Sequence, residues 1–481
     1  MLHIYHLTAV FFFFTQQVYV IDCGKAKQSN FDPSKKLDTL ESRWITLANS
    51  RQRQGRAGRT KPGVCYKLYS RMRESTFDSF PTPEIKRVRL EEIILRLKLL
   101  KLGKVESFLK IVPEPPEERT VKISLELLCD LGALDHNEEL TPLGCHLAHL
   151  PIDPRTGKLI LLGAIFGCLE PMLAIAAVLS YKDPFIVVMN QEAALRNRKK
   201  MLAGDLSSDH LLMAKIMRQF RAAEKEGYSA AKSYCHQNFL STSTMKLLSD
   251  MMDKFCLYLH ESQFLDSVSV DDLTANRNSN NNELVLALLS AGLLPNVAEV
   301  VGRSPKSNVP RKSSPLSAKV KTLEDGFVLI HPRSINYDAK LTSSSWLCYF
   351  SKMRSTSIYL HDCSVVPVHS VLFFGEEMLL KQYGSKFTSE IFVSALESKK
   401  TIRMNWDSFL SRRVSKPGPT DWSADSKDSI LLKEIIQFIT TDFSANQPMT
   451  QATTKGAKKS SSKQTPHPCY DFVAPQRLVK R

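Results

Sequence analysis

The amino-acid sequence predicts a multidomain α+β protein. Three observations support this fold class: an apolar strand that leads into a basic helix near the amino terminus, a long and almost uninterrupted helical segment in the middle, and a series of short strands with hairpin signals in the second half. A chain of 481 residues has room for about three to four domains, each large enough to bury a core of its own.

Composition narrows the classes of partner and compartment. The formal net charge is +16, which favours a polyanionic partner but does not by itself distinguish nucleic acid from an acidic membrane surface. The ten cysteines include no C-x-x-C pair, so we predict no metal site and a reducing intracellular compartment, the cytoplasm, the nucleus or both. Glu170-Pro171 interrupts the apolar run from Leu159 to Leu179, which therefore predicts two short buried helices and no membrane partner.

The amino-terminal elements are those of a partial α/β domain. Residues 1–17, with four consecutive phenylalanines, fit no amphipathic period, whereas Val18 to Asp22 has the pattern of a buried strand, and a polar ribbon follows it. The stretch Gln52–Arg59, called the arginine segment below, then holds three arginines and two glycines in eight residues. Glycine permits close approach of the backbone and the guanidinium fork matches phosphate oxygens, so this segment suits an anionic target. A solvated basic helix end is the alternative.

Residues 81–150 have the element order of a winged helix. Apolar residues recur at helical spacing in the first part, and a second helix begins near Glu117 and closes at Gly132. A short ribbon turns at Asp135, and Thr141-Pro142 has the residue types of an N-cap and first helical position. The order helix, helix, ribbon, helix is that of a winged helix, a fold that often binds duplex DNA.

The middle of the chain, residues 151–275, is predicted to be nearly all helical. Two polar residues, Asn238 and His210, could face a bound strand, although a cap or a satisfied core position is equally compatible with either. The asparagine-rich run from Asn276 to Asn282 is predicted to be a polar linker.

The second half, residues 284–400, is predicted to be a small antiparallel barrel. Glu324-Asp325-Gly326 is a strong hairpin signal between two short strands. Three further strands are predicted at Trp346–Ser351, Ser357–Cys363 and Val366–Phe374. Strands of this length and number make an OB-fold the natural candidate. Residues 401–446 are predicted to be a helical extension and residues 447–481 a disordered basic tail.

The arginine segment, Q-R-x-G-R-A-G-R, resembles motif VI of superfamily 2 helicases in the form used by the DEAH/RHA branch. The run Lys-Met-Arg-Ser-x-Ser-Ile-Tyr-Leu from Lys352 resembles the OB domain of the DEAH helicases that resolve G-quadruplexes. The resemblance implies that residues 18–80 are the C-terminal part of a second RecA-like domain and that 81–150, 151–275 and 284–400 are a winged helix, a helical ratchet domain and an OB-fold. Two departures are a phenylalanine run where motif V is expected and Ser243 where many members have arginine.

The resemblance also implies site residues and ligands. Gln52, Arg56 and Arg59 would face the triphosphate of ATP bound with Mg²⁺, and Arg56 and Arg59 would be catalytic, one of them as an arginine finger. The residues expected to bind RNA or single-stranded DNA, with G-quadruplexes as a further candidate, are Asn238, His331, Ser334, Lys352 and Arg354. For Lys352 and Arg354, solvated loop charge is the alternative.

The sequence also lacks two motifs that ATP hydrolysis needs. It contains no G-x-x-x-x-G-K-[ST] phosphate loop and no D-E-A-H box, although a phosphate loop, its lysine and a held metal ion do most of the work in phosphoryl transfer. We therefore expect the C-terminal portion of a longer helicase that unwinds in the 3′-to-5′ direction, with no tight ATP binding and no hydrolysis by this chain alone. The alternative is a non-catalytic module that binds nucleic acid or regulates a partner. No pattern in the sequence predicts an oligomeric state.

Overall fold

The amino-terminal part of the computed structural model is a parallel sheet with a hairpin beside it. The structure describes residues 2–5, 18–32, 37–59, 61–302, 319–322, 324–339, 341, 345–383 and 400–440. The first elements are β1 (Leu2–Tyr5), β2 (Tyr19–Asp22), β3 (Lys25–Asp32), β4 (Leu37–Trp44), α1 (Leu47–Gln54), β5 (Val64–Lys67) and α2 (Arg71–Glu74). The parallel sheet has the order β1-β2-β5, and β3 pairs antiparallel with β4. The predicted strand and polar ribbon are confirmed, and the four phenylalanines lie outside the described residues.

Glycine is required where the sheet passes into the hairpin. Gly24 has φ of 70°, in the left-handed region, and a Cβ there would lie 2.6 Å from Cδ1 of Tyr69. Its N–H donates to Oδ1 of Asp22 over 2.9 Å, which closes the turn. The turn therefore allows the buried strand to continue as a polar hairpin within two residues.

The next module has the winged-helix order that the sequence predicts. A 3-10 turn at Glu84–Lys86 precedes α3 (Glu91–Leu99), α4 (Val105–Ile111), α5 (Glu118–Asp130) and α6 (Pro142–His149). Helix α5 ends before Gly132, whose φ is 78°, and α6 begins with Thr141 as N-cap and Pro142 in the first turn. The ribbon is reduced to one antiparallel bridge between Leu134 and Leu140. Helix α4 was not specified by the sequence pattern, because it is short and has no capping side chain.

Six helices form the ratchet module. They are α7 (Pro154–Phe166), α8 (Leu169–Ser180), α9 (Glu192–Ala203), α10 (Asp209–Glu226), α11 (Tyr228–Gln237) and α12 (Thr242–Glu261). The apolar run is two buried helices, as predicted, but the break is at Gly167, which has φ of 67° and caps α7. Pro171 lies in the first turn of α8, where its missing N–H costs no helical hydrogen bond. Within the described ranges, no helix has both the length and the apolar character needed to cross a membrane.

The asparagine-rich run is a packed turn, which corrects the prediction of a linker. Asn276 accepts a hydrogen bond from the N–H of Glu170 over 2.8 Å, and Asn278 donates to the carbonyl of Phe166 over 2.8 Å. These side chains satisfy backbone groups at the facing ends of α7 and α8. The polar composition therefore reflects helix capping rather than exposure.

A closed five-stranded barrel follows one further helix. The elements are α13 (Asn282–Leu293), β6 (Val297–Gly302), β7 (Lys319–Thr322), β8 (Gly326–Ile330), β9 (Trp346–Arg354) and β10 (Ile358–Val366). The barrel strands follow the order β10-β8-β7-β6-β9, and pairing of β9 with β10 closes it. Apolar side chains such as Val320, Val328 and Leu360 fill the interior. The predicted OB-fold is confirmed.

The predicted barrel region begins with a helix, and one of its predicted strands is wrong. Residues 284–293 lie in α13, and the segment predicted as the strand Val366–Phe374 is mostly the start of α14 (Val368–Tyr383). Val371, Leu372 and Phe373 are consecutive and all buried, because this helix is packed between other helices and has no solvent face there. Helices α15 (Lys400–Ser415) and α16 (Lys427–Thr440) complete the helical core, and the predicted tail at 447–481 lies outside the described residues.

The hairpin and the barrel belong to one continuous sheet. Strand β4 pairs in parallel with the end of β9, where Asp38 is opposite Met353 and Thr39 is opposite Arg354. An ion pair of 3.2 Å between Arg89 and Asp38 adds a contact to the segment before α3. The amino-terminal hairpin is therefore attached to both later modules.

Candidate nucleotide and nucleic-acid sites

The arginine segment begins in the last turn of α1 and continues beyond it. Thr46 caps the helix by accepting from the N–H of Asn49, and Gly55 ends it. Gln52 and Arg59 are exposed, while Arg56 is partly buried. Gly63 allows the following strand to approach, because a Cβ at that position would lie 1.6 Å from the carbonyl oxygen of Ala57. Gln52 and Arg59 thus lie on an accessible surface, which suits a contact with a nucleotide.

Arg53, the other arginine of the segment, has a structural role that the sequence pattern did not indicate. Its Nη1 lies 2.7 Å from Oδ1 of Asp22, whose side chain has no exposed surface, and the guanidinium also donates to the carbonyl of Lys25 over 3.3 Å. Oδ2 of Asp22 accepts from the Tyr69 hydroxyl over 3.0 Å. An aspartate at the end of an apolar strand, followed by glycine, was the available signal. Arg53 therefore orients the segment.

Two of the predicted nucleic-acid residues lie in one loop of the barrel, His331–Tyr337, which follows β8. The His331 ring stacks on that of His361 with 4.1 Å between centroids. Burial and the neighbouring His361 lower the pKa of His331 to about 4, so the ring is neutral at pH 7. Ser334 is partly buried, and the backbone N–H of its neighbour Ile335 donates to Oδ1 of Asp209 of α10 over 2.9 Å. The loop is thus attached to the ratchet module.

The surroundings of Lys352 argue against a phosphate contact. Only 5% of its side chain is exposed, and its Nζ lies 2.6 Å from Oδ2 of Asp325 and also contacts Glu324. Both carboxylates belong to the turn between β7 and β8, so the lysine neutralises that turn. Arg354, two residues further along β9, is exposed. The pair predicted from the sequence is therefore separated into a buried lysine and an exposed arginine.

Asn238 is also held by the protein. It is 2% exposed, its Oδ1 accepts from Nε of Arg198 over 2.8 Å, and its Nδ2 donates to the carbonyl of Tyr234 over 2.7 Å. Asn238 follows α11 as its C-cap, so these bonds tie α9 to the end of α11. The geometry gives this residue a structural role and leaves little surface for a direct contact.

A cleft lies between the ratchet module and the barrel, and no sequence motif indicated it. We call it the ratchet–barrel cleft; its volume is about 210 Å³. Its lining residues are Asp183, Phe185, Val187, Glu192, Leu195, Arg196, Lys199, Pro332, Arg333, Ser334 and Ile335. The cations are Arg196 and Lys199 on α9 and Arg333 on the loop, and the carboxylates are Asp183 and Glu192. A groove that combines cations with apolar side chains is of the kind that proteins use to hold single-stranded nucleic acid.

Lys199 is positioned by contacts from both sides of the cleft. Its Nζ lies 3.5 Å from Oδ2 of Asp183 and 3.5 Å from the carbonyl oxygen of Arg333, and 4.1 Å from the centroid of the Phe185 ring. Arg196 is half exposed and lies 4.0 Å from Asp338. Lys199 therefore supports the cleft, and Arg196 and Arg333 are the cations nearer to solvent.

Comparison with known families identifies the modules. Three family models match parts of the chain. They are "Helicase associated domain (HA2), winged-helix" at residues 124–152, "Helicase associated domain (HA2), ratchet-like" at 153–252 and "Oligonucleotide/oligosaccharide-binding (OB)-fold" at 285–378. These three modules, in this order after an arginine segment, define a helicase-associated protein. The exact boundaries of the seven predicted segments stay predictions.

Curated relatives define the family more closely. The chain is 40% identical over 433 residues to the ATP-dependent DNA/RNA helicase DHX36 of Bos taurus, an alignment that covers 88% of this chain and 42% of that protein. It is 36% identical over 407 residues to the DExH-box ATP-dependent RNA helicase DExH1 of Arabidopsis thaliana, covering 83% and 39% respectively. The chain thus spans less than half the length of these relatives. The matched modules and relatives support the C-terminal portion of a DEAH-type helicase of superfamily 2.

Proposed function

We propose that this chain supplies nucleic-acid binding and two nucleotide-facing arginines to an ATP-dependent helicase. The observation that carries this proposal is the arginine segment, in a chain that resembles ATP-dependent helicases over 88% of its length. Gln52 and Arg59 are exposed and Asp22 fixes Arg53 between them. In the complete protein Gln52, Arg56 and Arg59 would contact the triphosphate of Mg²⁺-bound ATP, and Arg56 or Arg59 would stabilise the charge that develops in phosphoryl transfer.

The ratchet–barrel cleft is the proposed site for one strand of RNA or DNA. Arg196 and Arg333 would contact phosphates, and the apolar surface around Val187 would accommodate a base. Arg354, at the end of β9 beside the hairpin, is a further phosphate contact.

Translocation in the 3′-to-5′ direction and action on G-quadruplexes belong to the same proposal, as does an intracellular location. The nine free cysteines among the described residues are compatible with a reducing compartment.

Binding of a fluorescein-labelled single-stranded RNA, followed by anisotropy over a range of salt concentrations, tests the proposal. Each phosphate contact on a single strand contributes about −0.7 to the slope of log K against log salt. We expect a slope of roughly −2 for three contacts, and a slope reduced by roughly 1.4 when Arg196→Ala and Arg333→Ala are combined. The matched control is Arg119→Ala with Lys122→Ala, two exposed cations on α5. Equal losses in both double variants would show that binding reflects net charge and not the cleft.

A second function, a module that binds nucleic acid without ATP chemistry, is favoured by one observation. The described cations of the ratchet–barrel cleft, Arg196, Lys199 and Arg333, include no residue of the arginine segment, so binding there would not use the nucleotide-facing side chains. The two functions differ in the effect of Arg59→Ala in a longer protein that contains a phosphate loop. A helicase would lose turnover with this variant, whereas a non-catalytic module would show no turnover before or after the change.

A further inference from the structure

We propose that Asp209 is a positioning residue for nucleic-acid binding: its carboxylate fixes the His331–Tyr337 loop against the ratchet module, and so fixes Arg333 at the edge of the cleft. This inference rests on the proposed function of the ratchet–barrel cleft. Asp209 is the first residue of α10 and is 6% exposed, so it touches no ligand itself.

The two oxygens of Asp209 bind two different parts of the barrel. Oδ1 accepts from the backbone N–H of Ile335, in the loop, over 2.9 Å. Oδ2 accepts from the backbone N–H of Cys363, in β10, over 2.9 Å. One buried group thus sets the distance between the cleft loop and the wall of the barrel.

The loop depends on these contacts because its own hydrogen bonds are local. Ser334 donates its N–H to His331 over 2.9 Å, and Asn336 donates its N–H to the Ser334 hydroxyl over 3.1 Å. These bonds shape the turn but do not attach it to the helices. The hydrogen bonds that attach the loop to the helices come from Asp209, from Nδ2 of Asn336, which donates to the Ser207 carbonyl over 3.2 Å, and from Lys199, which reaches the Arg333 carbonyl. The Arg196 guanidinium of α9 also lies 5.9 Å from the centroid of the Tyr337 ring. Among these contacts, only that of Asp209 is made by an acidic side chain.

A neighbouring contact provides an internal comparison. Ser364 of β10 lies 2.6 Å from the Ser208 hydroxyl and 2.6 Å from Nδ1 of His210. This cluster also joins α10 to the barrel and is also buried, but its hydrogen bonds do not involve the His331–Tyr337 loop. Loss of the Ser364 hydroxyl should therefore weaken the junction without releasing Arg333. The comparison separates a general loss of stability from a specific loss of loop position.

The experiment uses the full 481-residue chain and a fluorescein-labelled single-stranded RNA. Asp209→Asn keeps the size of the side chain, but its amide cannot accept from both N–H groups, so one buried donor loses its partner. We expect binding to weaken about tenfold, and the salt slope to fall by about 0.7 because one phosphate contact is lost. Ser364→Ala should lower the melting temperature about as much as Asp209→Asn does. Its dissociation constant for RNA should stay within about twofold of the parent.

Three outcomes would overturn the inference while leaving the cleft as a binding site. Asp209→Asn could bind with the parent affinity and slope, which would leave Asp209 no positioning role. Ser364→Ala could weaken binding as much as Asp209→Asn, which would assign the effect to general stability. Hydrogen exchange of the unmodified chain gives a test that needs no variant: the amides of Ile335 and Cys363 should exchange slowly, and rapid exchange would contradict the contact. If the parent itself bound no RNA, or if Arg196→Ala with Arg333→Ala changed nothing, the cleft would fail as a site and this inference with it.

Discussion

The ion pair between Arg53 and Asp22 holds the arginine segment against the end of β2. The 2.7 Å contact joins α1 to the end of β2, and the same guanidinium reaches the carbonyl of Lys25, the first residue of β3. The helix that carries Gln52 and leads into Arg56 is therefore connected, through one side chain, to the base of the hairpin. Burial makes this connection strong, because a pair withdrawn from water is little screened.

Arg53→Ala should destabilise the amino-terminal part. Removing one partner of a buried ion pair leaves the other charge uncompensated and costs about 3–5 kcal/mol. The Asp22 side chain has no exposed surface and the Arg53 side chain is 17% exposed, so we expect solvent to reduce this loss of stability only slightly. The measurement is the first transition in a thermal melt. Arg43→Ala is the control, because its pair with Glu41 is exposed and is worth less than about 1 kcal/mol. Equal shifts for the two variants would contradict the role of Arg53.

Arg56→Ala and Arg59→Ala should abolish ATP turnover in a longer protein that includes the ATP-binding half. An arginine finger contributes about 10³- to 10⁵-fold to the rate in characterised NTPases, and lysine should not restore it because lysine lacks the planar fork. RNA affinity should change little. Arg51→Ala, an exposed arginine in α1 just before the arginine segment, is the control. Turnover within a few-fold of the parent for both Arg56→Ala and Arg59→Ala would disprove the motif VI assignment.

The 481-residue chain by itself should hydrolyse no ATP above background, with or without RNA. The physical reason is the absence of a phosphate loop and of metal-binding carboxylates from its sequence, since these groups hold the triphosphate and its magnesium. A phosphate-release assay on a preparation free of other ATPases is the measurement. RNA-stimulated release by this chain would require a nucleotide site that its sequence does not indicate.

Lys352 and Arg354 should differ sharply when each is changed to alanine. Lys352→Ala leaves the buried carboxylate of Asp325 without its cation, so the barrel should lose about 3–5 kcal/mol of stability. Arg354→Ala should leave the melting temperature unchanged and flatten the salt slope of RNA binding by about 0.7. Thermal melts and anisotropy titrations measure the two effects. The reverse pattern would restore Lys352 as a phosphate contact.

Stability should fall with acid because of His210. The ring is 2% exposed and burial lowers its pKa to about 3, below its unfolded value of about 6.5. The unfolded chain therefore binds a proton between about pH 6.5 and 3 that the folded chain does not, and stability is lost as the pH falls through this window. One such proton contributes about 1.4 kcal/mol per pH unit. His210→Gln should remove that part of the slope in urea unfolding measured from pH 7 to 5, and the exposed His136→Gln should not. An unchanged slope in His210→Gln would exclude His210 as its source.

Local sequence signals predicted the modules well. Thr141-Pro142, Gly132 and the Glu324-Asp325-Gly326 turn act through backbone geometry, which is encoded within a few residues, so the winged helix and the hairpin of the barrel could be predicted. The segment Val366–Phe374 could not, because a helix surrounded by other helices shows no apolar periodicity.

The candidate sites were predicted less completely, because they depend on contacts between distant segments. Lys352 looks like a free cation until Asp325 is placed beside it. Arg196 and Arg333 are 137 residues apart, so no pattern in either neighbourhood indicates that they share a cleft. The arginine segment was found because its residues lie together in the chain, and the partner of Arg53 was missed because Asp22 does not.

The pairing of β4 with β9 has a mechanical consequence. A hairpin with free edges can swing or slide independently, but here the hairpin shares ladder positions with a barrel strand at Thr39 and Arg354. A shift of one residue along the ladder would be about 3.3 Å and would turn every side chain of the hairpin to the opposite face. Motion that starts at the arginine segment and reaches the hairpin must therefore either break this short ladder or move the end of β9, with Arg354 on it, by the same distance.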